Sequence, residues 1–309
     1  MKRNPLAKVL TRQAILRFYL VLGSAFFAVW PSFTYAREIV DGSGEKVILA
    51  DRPLRIVTLV PSLGELAADF LKSDPGRIIG VSEYTDYPPS LQKVTSIGSY
   101  IHLNLEKILS LKPDLVLATL DGNRKDEISH LRELHVPVVV VKTGSFKEID
   151  SSIQLVATVL GKVKEGEEIV ERLNKGLMQF RERAKTRASK KVMLQVGDDP
   201  LSVVGKKSFL HDAIELVGAS NIYADADAHY PKPSLEDILK RDPDFIIVAA
   251  MGADIVPYLK MVSKWQQFPR LSAVKNKRVI LLKSDALLRP TVRILGGLAQ
   301  LEQTIYGKN

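Results

Sequence analysis

Leu105-Glu106-Lys107-Ile108-Leu109-Ser110-Leu111-Lys112-Pro113-Asp114 and, 130 positions later, Leu235-Glu236-Asp237-Ile238-Leu239-Lys240-Arg241-Asp242-Pro243-Asp244 agree at Leu, Glu, Ile, Leu, Pro and Asp. Each copy leads directly into an apolar run. Internal similarity at that separation is too wide for a short solenoid repeat and implies two related lobes. In each copy the apolar pair, Ile108 with Leu109 or Ile238 with Leu239, is expected to face a core, and Pro113 or Pro243 to end a helix before a strand begins. Asn104 and Ser234 read as N-caps, which places Glu106 and Glu236 in the first helical turn. The helix dipole favours a first-turn carboxylate by about 0.3 to 1 kcal/mol, and that alone accounts for the two acids. Two matching surface carboxylates, one per lobe, also suit a two-fold symmetric partner that offers an arginine to each.

Outward from the repeat, short β-rich runs alternate with helical stretches, the pattern of an α/β protein. Before the first copy, residues 55–59 read as a buried strand, 62–71 as a helix capped by Ser62, and 78–81 as a second strand. Beyond it, 115–118 and 136–141 read as strands around a helix over 124–134, and this lobe ends near Gly144. Ile149, Ile153, Val156 and Leu160 then recur at helical spacing. After Gly161 the series Ile169, Leu173, Leu177, Phe180 and Ala184 carries a second helix of about 25 residues, nearly 40 Å long at 1.5 Å per residue. A helix of that length can bridge two lobes rigidly. Past Ser189, residues 191–195, 245–248 and 278–282 read as strands, with a helix from its cap Ser208 to Val217 closed by Gly218. The expected fold is two similar Rossmann-like α/β lobes, residues 37–144 and 190–309, joined through a helical connection over 145–189, with a cleft between them.

The first 36 residues read as a secretory signal: a basic start, an apolar run from Phe18 to Trp30, and Thr34-Tyr35-Ala36 before the expected cleavage. The alternative is an uncleaved anchor, but the apolar run of about 13 residues falls short of the roughly 20 needed to span a bilayer. The formal charge of +9 includes Lys2, Arg3, Lys8, Arg12 and Arg17 of this segment, and without them +4 remains. The chain has no cysteine, hence no disulfide, no thiolate metal site and no lipid-modified N-terminal cysteine. A freely diffusing exported protein without a lipid tether needs an enclosed compartment, which points to a periplasm.

Other chemistries find little support. The basic run over 181–187 lacks interleaved aromatics and reads as a solvated helix end, not a nucleic-acid surface. Gly205-Lys206-Lys207-Ser208 lacks the distal glycine of a phosphate loop, since that position is Pro200. Ser208, His211 and Asp212 fall within one helix turn, unlike a nucleophile and a separate base. The five histidines are scattered without metal-ligand spacing. No enzyme, no metal site and no catalytic cofactor is expected.

With these residues in view, the chain resembles the periplasmic binding proteins of metal-chelate ABC importers, and among them the cobalamin binders. The resemblance runs from about Arg55 to the C-terminus. It is carried by residues 61–66, by Gly80-Val81-Ser82 through Tyr84-Thr85-Asp86-Tyr87-Pro88-Pro89, by Asn104 through Asp114, by Gly122-Asn123 and by residues 205–222. It implies two lobes on one long helix, a monomer, and docking of Glu106 and Glu236 onto arginines of a permease dimer in the inner membrane. It also implies a ligand clasped between the lobes by Tyr84, Tyr100 and Tyr230, with Asp285, Arg289 and Arg293 on the polar side. Thr119 and Ala286 stand where the cobalamin binders carry tryptophans, and Leu287 where they carry a phenylalanine. Tyr100 and Tyr230 likewise replace tryptophans. The implied ligand is a corrinoid, cobalamin first, with haem or a ferric siderophore as alternatives in a roomier or more polar cleft. A ligand sensor that docks to a periplasmic receptor is the alternative outside import.

Overall fold

A computed structural model describes residues 36–252 and 254–307; residues 1–35 of the expected signal segment lie outside them. Two parallel sheets organise the chain. The first takes strands β3 (Ile56–Thr58), β4 (Ile78–Val81), β5 (Thr95–Ser96), β6 (Leu115–Thr119) and β7 (Val138–Val141) in the spatial order β5-β4-β3-β6-β7. β3 aligns Val57 with Val116 of β6, and both strands are buried throughout, as a sheet covered on two faces requires. The second takes β8 (Lys191–Asp198), β10 (Ser220–Asn221), β11 (Phe245–Ala250) and β12 (Val279–Lys283) in the order β10-β8-β11-β12, with β9 (Leu201–Val203) antiparallel to β8.

The helices are α1 (Pro61–Phe70), α2 (Leu105–Ser110), α3 (Lys125–Glu133), α4 (Phe146–Leu160), α5 (Val163–Ala184), α6 (Phe209–Leu216), α7 (Leu235–Arg241), α8 (Val256–Trp265), α9 (Ser272–Lys275), α10 (Asp285–Leu288) and α11 (Ile294–Tyr306). Local chemistry sets several ends as expected. Asn104 Oδ1 accepts from the Lys107 amide at 2.9 Å and Ser234 Oγ from the Asp237 amide at 3.2 Å. Gly161, at φ +72°, closes α4 in the left-handed conformation that glycine tolerates best. Three readings are corrected. Ser62 is not a cap, because Pro61 takes the first helical position and Val60 precedes it without a side-chain bond. Leu239 is 41% exposed, so only Ile238 of that pair enters the core. The long helix stops at Ala184, giving 22 residues and a length of about 33 Å.

α5 buries Ile169, Leu173, Leu177 and Phe180 along one face. It packs on α4 beside the first sheet and on α6 and α11 beside the second. One continuous cluster therefore runs from Ile56 and Leu117 through α4 and α5 to Leu194 and Ile247. Each lobe adds a smaller cluster on its other sheet face, around Ile108 and around Ile238. A hairpin of β1 (Ala36–Val40) and β2 (Lys46–Ala50) precedes the first sheet. Asp41 fixes it, accepting from Arg132 Nη2 at 2.5 Å and from the Val140 amide at 2.9 Å. Ala36, the last residue of the expected signal, opens β1 opposite Ala50. Among the described residues no helix is long and apolar enough to cross a membrane.

Leu173 is fully buried at the middle of α5. Leu173→Ala should lower the unfolding free energy by about 2 to 5 kcal/mol, read as a shift of the urea midpoint without a change of slope.

Candidate functional site

In an open parallel sheet the ligand crevice lies at the carboxyl ends of the strands, where the strand order reverses. The first sheet reverses between β3 and β6, and the second between β8 and β11. Val60 and Pro61 follow β3, Thr119 ends β6 and Asp121 follows it, while Val196 lies near the carboxyl end of β8 and Met251 and Gly252 follow β11. These residues line two adjoining cavities that share Tyr100 and Met251, an inner one of about 130 Å³ and an outer one of about 490 Å³. The cleft therefore joins the switch point of one lobe to that of the other.

Tyr100 lines both cavities, Tyr230 the inner and Tyr84 the outer. Each has a visible anchor. Asn123 donates Nδ2 to the Tyr100 carbonyl at 2.9 Å while its Oδ1 accepts from the Thr119 amide, tying the Tyr100 loop to the end of β6. The loop bearing Tyr230 is held by the Gly205 amide, which donates to the His229 carbonyl at 2.9 Å. A Cβ on Gly205 would meet the Ala228 carbonyl oxygen at 2.4 Å, so the close approach needs glycine. Tyr84 stands 60% exposed with φ at +65°. Burial, with the nearby Tyr258 and Tyr84 phenols and the Glu83 carboxylate, pushes the Tyr100 phenol above its ordinary pKa, and burial does the same for Tyr230. Both phenols remain neutral hydrogen-bond donors.

Tyr258 and Met261 of α8 complete the outer cavity. The sequence reading missed both. Their recurrence three residues apart beside Val256 and Leu259 was an available signal, since it gives a short helix more apolar surface than its one buried residue, Trp265, requires.

Three residues expected on the polar side of the cleft have other partners. Asp285 accepts from the Gly252 amide at 2.9 Å and holds the turn after β11. Arg289 is 2% exposed and spans the lobes: its Nη1 donates to Glu65 Oε1 at 2.5 Å and Asp86 Oδ1 at 2.7 Å, and its Nη2 to the Tyr84 carbonyl at 2.9 Å. Arg293 donates Nη1 to the same Glu65 oxygen at 2.7 Å and lies 3.6 Å over the Tyr87 ring. Burial would lower the Arg289 pKa, but hydrogen bonds to Glu65 and Asp86, with their charges, outweigh it and raise the pKa. Arg289 thus borders the inner cavity while committed to carboxylates. Leu287 is fully buried in the core and does not line the cleft, whereas the next residue, Leu288, lines the inner cavity.

Glu106 and Glu236 are exposed in the first turns of α2 and α7, and among the described residues neither joins an ion pair. No group of three or more His, Asp or Glu side chains is placed to hold a metal among the described residues.

Removing Arg289 leaves Glu65 buried with, among the described residues, Arg293 as its one cation and the Thr291 hydroxyl at 3.5 Å. Arg289→Met should cost about 3 to 5 kcal/mol in urea unfolding, and the Arg289→Met/Glu65→Met pair should cost less than Arg289→Met alone, because no uncompensated buried charge remains.

Residues 56–286 match the family described as periplasmic binding protein. The vitamin B12-binding protein of Salmonella typhi is 32% identical over 247 residues, 80% of this chain and 88% of that protein. An uncharacterised ABC transporter substrate-binding lipoprotein of Bacillus subtilis is 30% identical over 275 residues, 87% of this chain and 85% of that protein. The crystal structure of the periplasmic vitamin B12 binding protein of Vibrio cholerae superposes with a TM-score of 0.70 at 29% identity, covering 82% of this chain and 96% of that one. On the matched span, the identity and the shared two-lobed architecture, the chain belongs to the periplasmic binding protein family.

Proposed function

We propose that the mature chain captures a corrinoid, cobalamin first, in the interlobe cleft and delivers it to an inner-membrane ABC importer from the periplasm. The observation that carries this reading is the convergence of Tyr84, Tyr100, Tyr230 and Tyr258, from both lobes, on cavities at the two sheet switch points. Tyrosines suit a large, partly flat ligand, because each covers apolar surface with few rotatable bonds and keeps a hydroxyl for a peripheral polar group. The similarity to vitamin B12-binding proteins selects the corrinoid among such ligands. Residues 1–36 serve as the export signal, 37–144 and 190–309 as the two lobes, and 145–189 as the helical connection.

Delivery rests on Glu106 and Glu236. Both are solvent-exposed carboxylates at the same place in a repeated helix, which is the arrangement a symmetric permease dimer can engage with one arginine per subunit. Such rim charges set orientation and encounter rate more than affinity. Binding involves no bond-making step, and the chain acts as a monomer. The cleft arginines hold the protein together, so Asp285, Arg289 and Arg293 act on the ligand by shaping the cleft.

Isothermal titration of the mature protein with cyanocobalamin should give saturable heat with a dissociation constant of about 1 µM or tighter. Absence of heat would sink the corrinoid assignment. Reversing both docking charges, Glu106→Arg with Glu236→Arg, should leave that constant within about twofold and cut ATP-dependent uptake with the cognate permease by about tenfold or more. Undiminished uptake would favour a sensor that docks elsewhere.

A further inference from the structure

Among the described residues the charged side chains that line the two cavities are Asp121, Glu83, Asp254 and one cation, Arg289. Arg289 already faces Glu65, Asp86 and the Tyr84 carbonyl, and Arg293 faces Glu65 and the Tyr87 ring. Two guanidinium groups against two carboxylates leave this cluster without net charge. What remains is acidic. Asp121 Oδ2 accepts from the Thr143 hydroxyl at 2.9 Å and from its amide, and His229 Nε2 stands 3.8 Å from Asp121 Oδ1. Glu83 is half-buried and Asp254 exposed, and among the described residues neither has an ion-pair partner.

We infer that this cleft sorts chelates by charge, accepting neutral or cationic ones and rejecting anionic ones. The inference rests on the importer reading above and narrows its ligand class. A ligand carboxylate entering the outer cavity meets Glu83 and Asp254 with no free guanidinium among the described residues to receive it, in a space where displaced water screens charge less than bulk solvent does. A ligand rimmed with primary amides is received differently, because each amide N–H can donate to a carboxylate in a charge-assisted hydrogen bond. The rule favours a fully amidated corrinoid over a porphyrin bearing propionates and over catecholate or carboxylate iron chelates. Borrowing Arg289 for an anionic ligand would leave Glu65 buried and underpaired, which opposes that route.

The test compares a matched pair, cyanocobalamin and its monocarboxylic acid, with further chelates of different charge, by titration calorimetry of the mature chain at low ionic strength and about pH 8, where histidine is ordinarily neutral. Cyanocobalamin and aquacyanocobinamide should bind at least about tenfold more tightly than the cyanocobalamin monocarboxylic acid, a gap of about 1.4 kcal/mol, and more tightly than haem. In the Glu83→Gln/Asp254→Asn variant the gap between parent and acid should shrink to about threefold or less. Equal binding of parent and acid, an unchanged gap in the variant, or tighter binding of haem overturns the inference. If no corrinoid binds, the ligand assignment fails and the charge rule is judged on iron chelates. Preference for cationic ferrioxamine B over an anionic ferric catecholate then upholds it, whereas the reverse preference, or binding of neither, overturns it.

Discussion

The Glu65 carboxylate is the constraint on which the cleft depends. It is buried on α1 among Leu63, Leu66 and Ala67, and it accepts from two arginines that come from the other lobe. A carboxylate in that setting is tolerable only when cations and hydrogen bonds replace its water. The lobes therefore meet in a defined register. Because Arg289 also holds Asp86 and the Tyr84 carbonyl, the same interaction that joins the lobes places a cleft tyrosine.

The second connection has a different character. α5 shares an apolar cluster with both sheets, and such packing is nondirectional and is not screened by salt as an ion pair is. A helix carries little bend over its length, so together with the ion cluster it restricts the lobes to small relative motions. Domain closure in binding proteins ranges from wide hinges to slight shear, and these two connections place this chain at the slight end. A ligand must then fit a cleft already shaped, with Gly205 and Asn123 holding the Tyr230 and Tyr100 loops before it arrives.

Much of the fold was legible because its determinants are local. The strand and helix alternation, the caps at Asn104, Ser234 and Ser208, and the stop at Gly161 depend on residues within a few positions of one another. The exposure of Glu106 and Glu236 followed from the repeat. The rest depended on what lies far along the chain. The family resemblance places Arg289 on the cleft, and its burial was not legible because its partner Glu65 is 224 positions away. Leu287 and Leu239 are both apolar helix residues, yet one is core and the other surface, since neighbouring elements decide which face is covered. The β1–β2 hairpin escaped because its outward positions carry apolar Val40 and Ile48 as well as the paired Glu38 and Lys46, which blurs the alternation of the inward Val47 and Leu49. The cleft itself follows from strand order, which local periodicity does not encode.

The dual use of the arginines links selectivity to stability. In many sites an arginine is free to clamp a ligand anion, because the cost of its burial falls on the complex. Here the guanidinium groups are neutralised before any ligand enters, and on the proposed reading recognition falls to tyrosine faces, hydroxyls and a few carboxylates at the rim. A substitution that freed Arg289 to hold an anion would loosen the lobes and the Tyr84 loop at the same time. Under the charge rule proposed above, the cleft can change its preference among neutral ligands by exchanging aromatic side chains, whereas a change in ligand charge requires rebuilding the contact between the lobes.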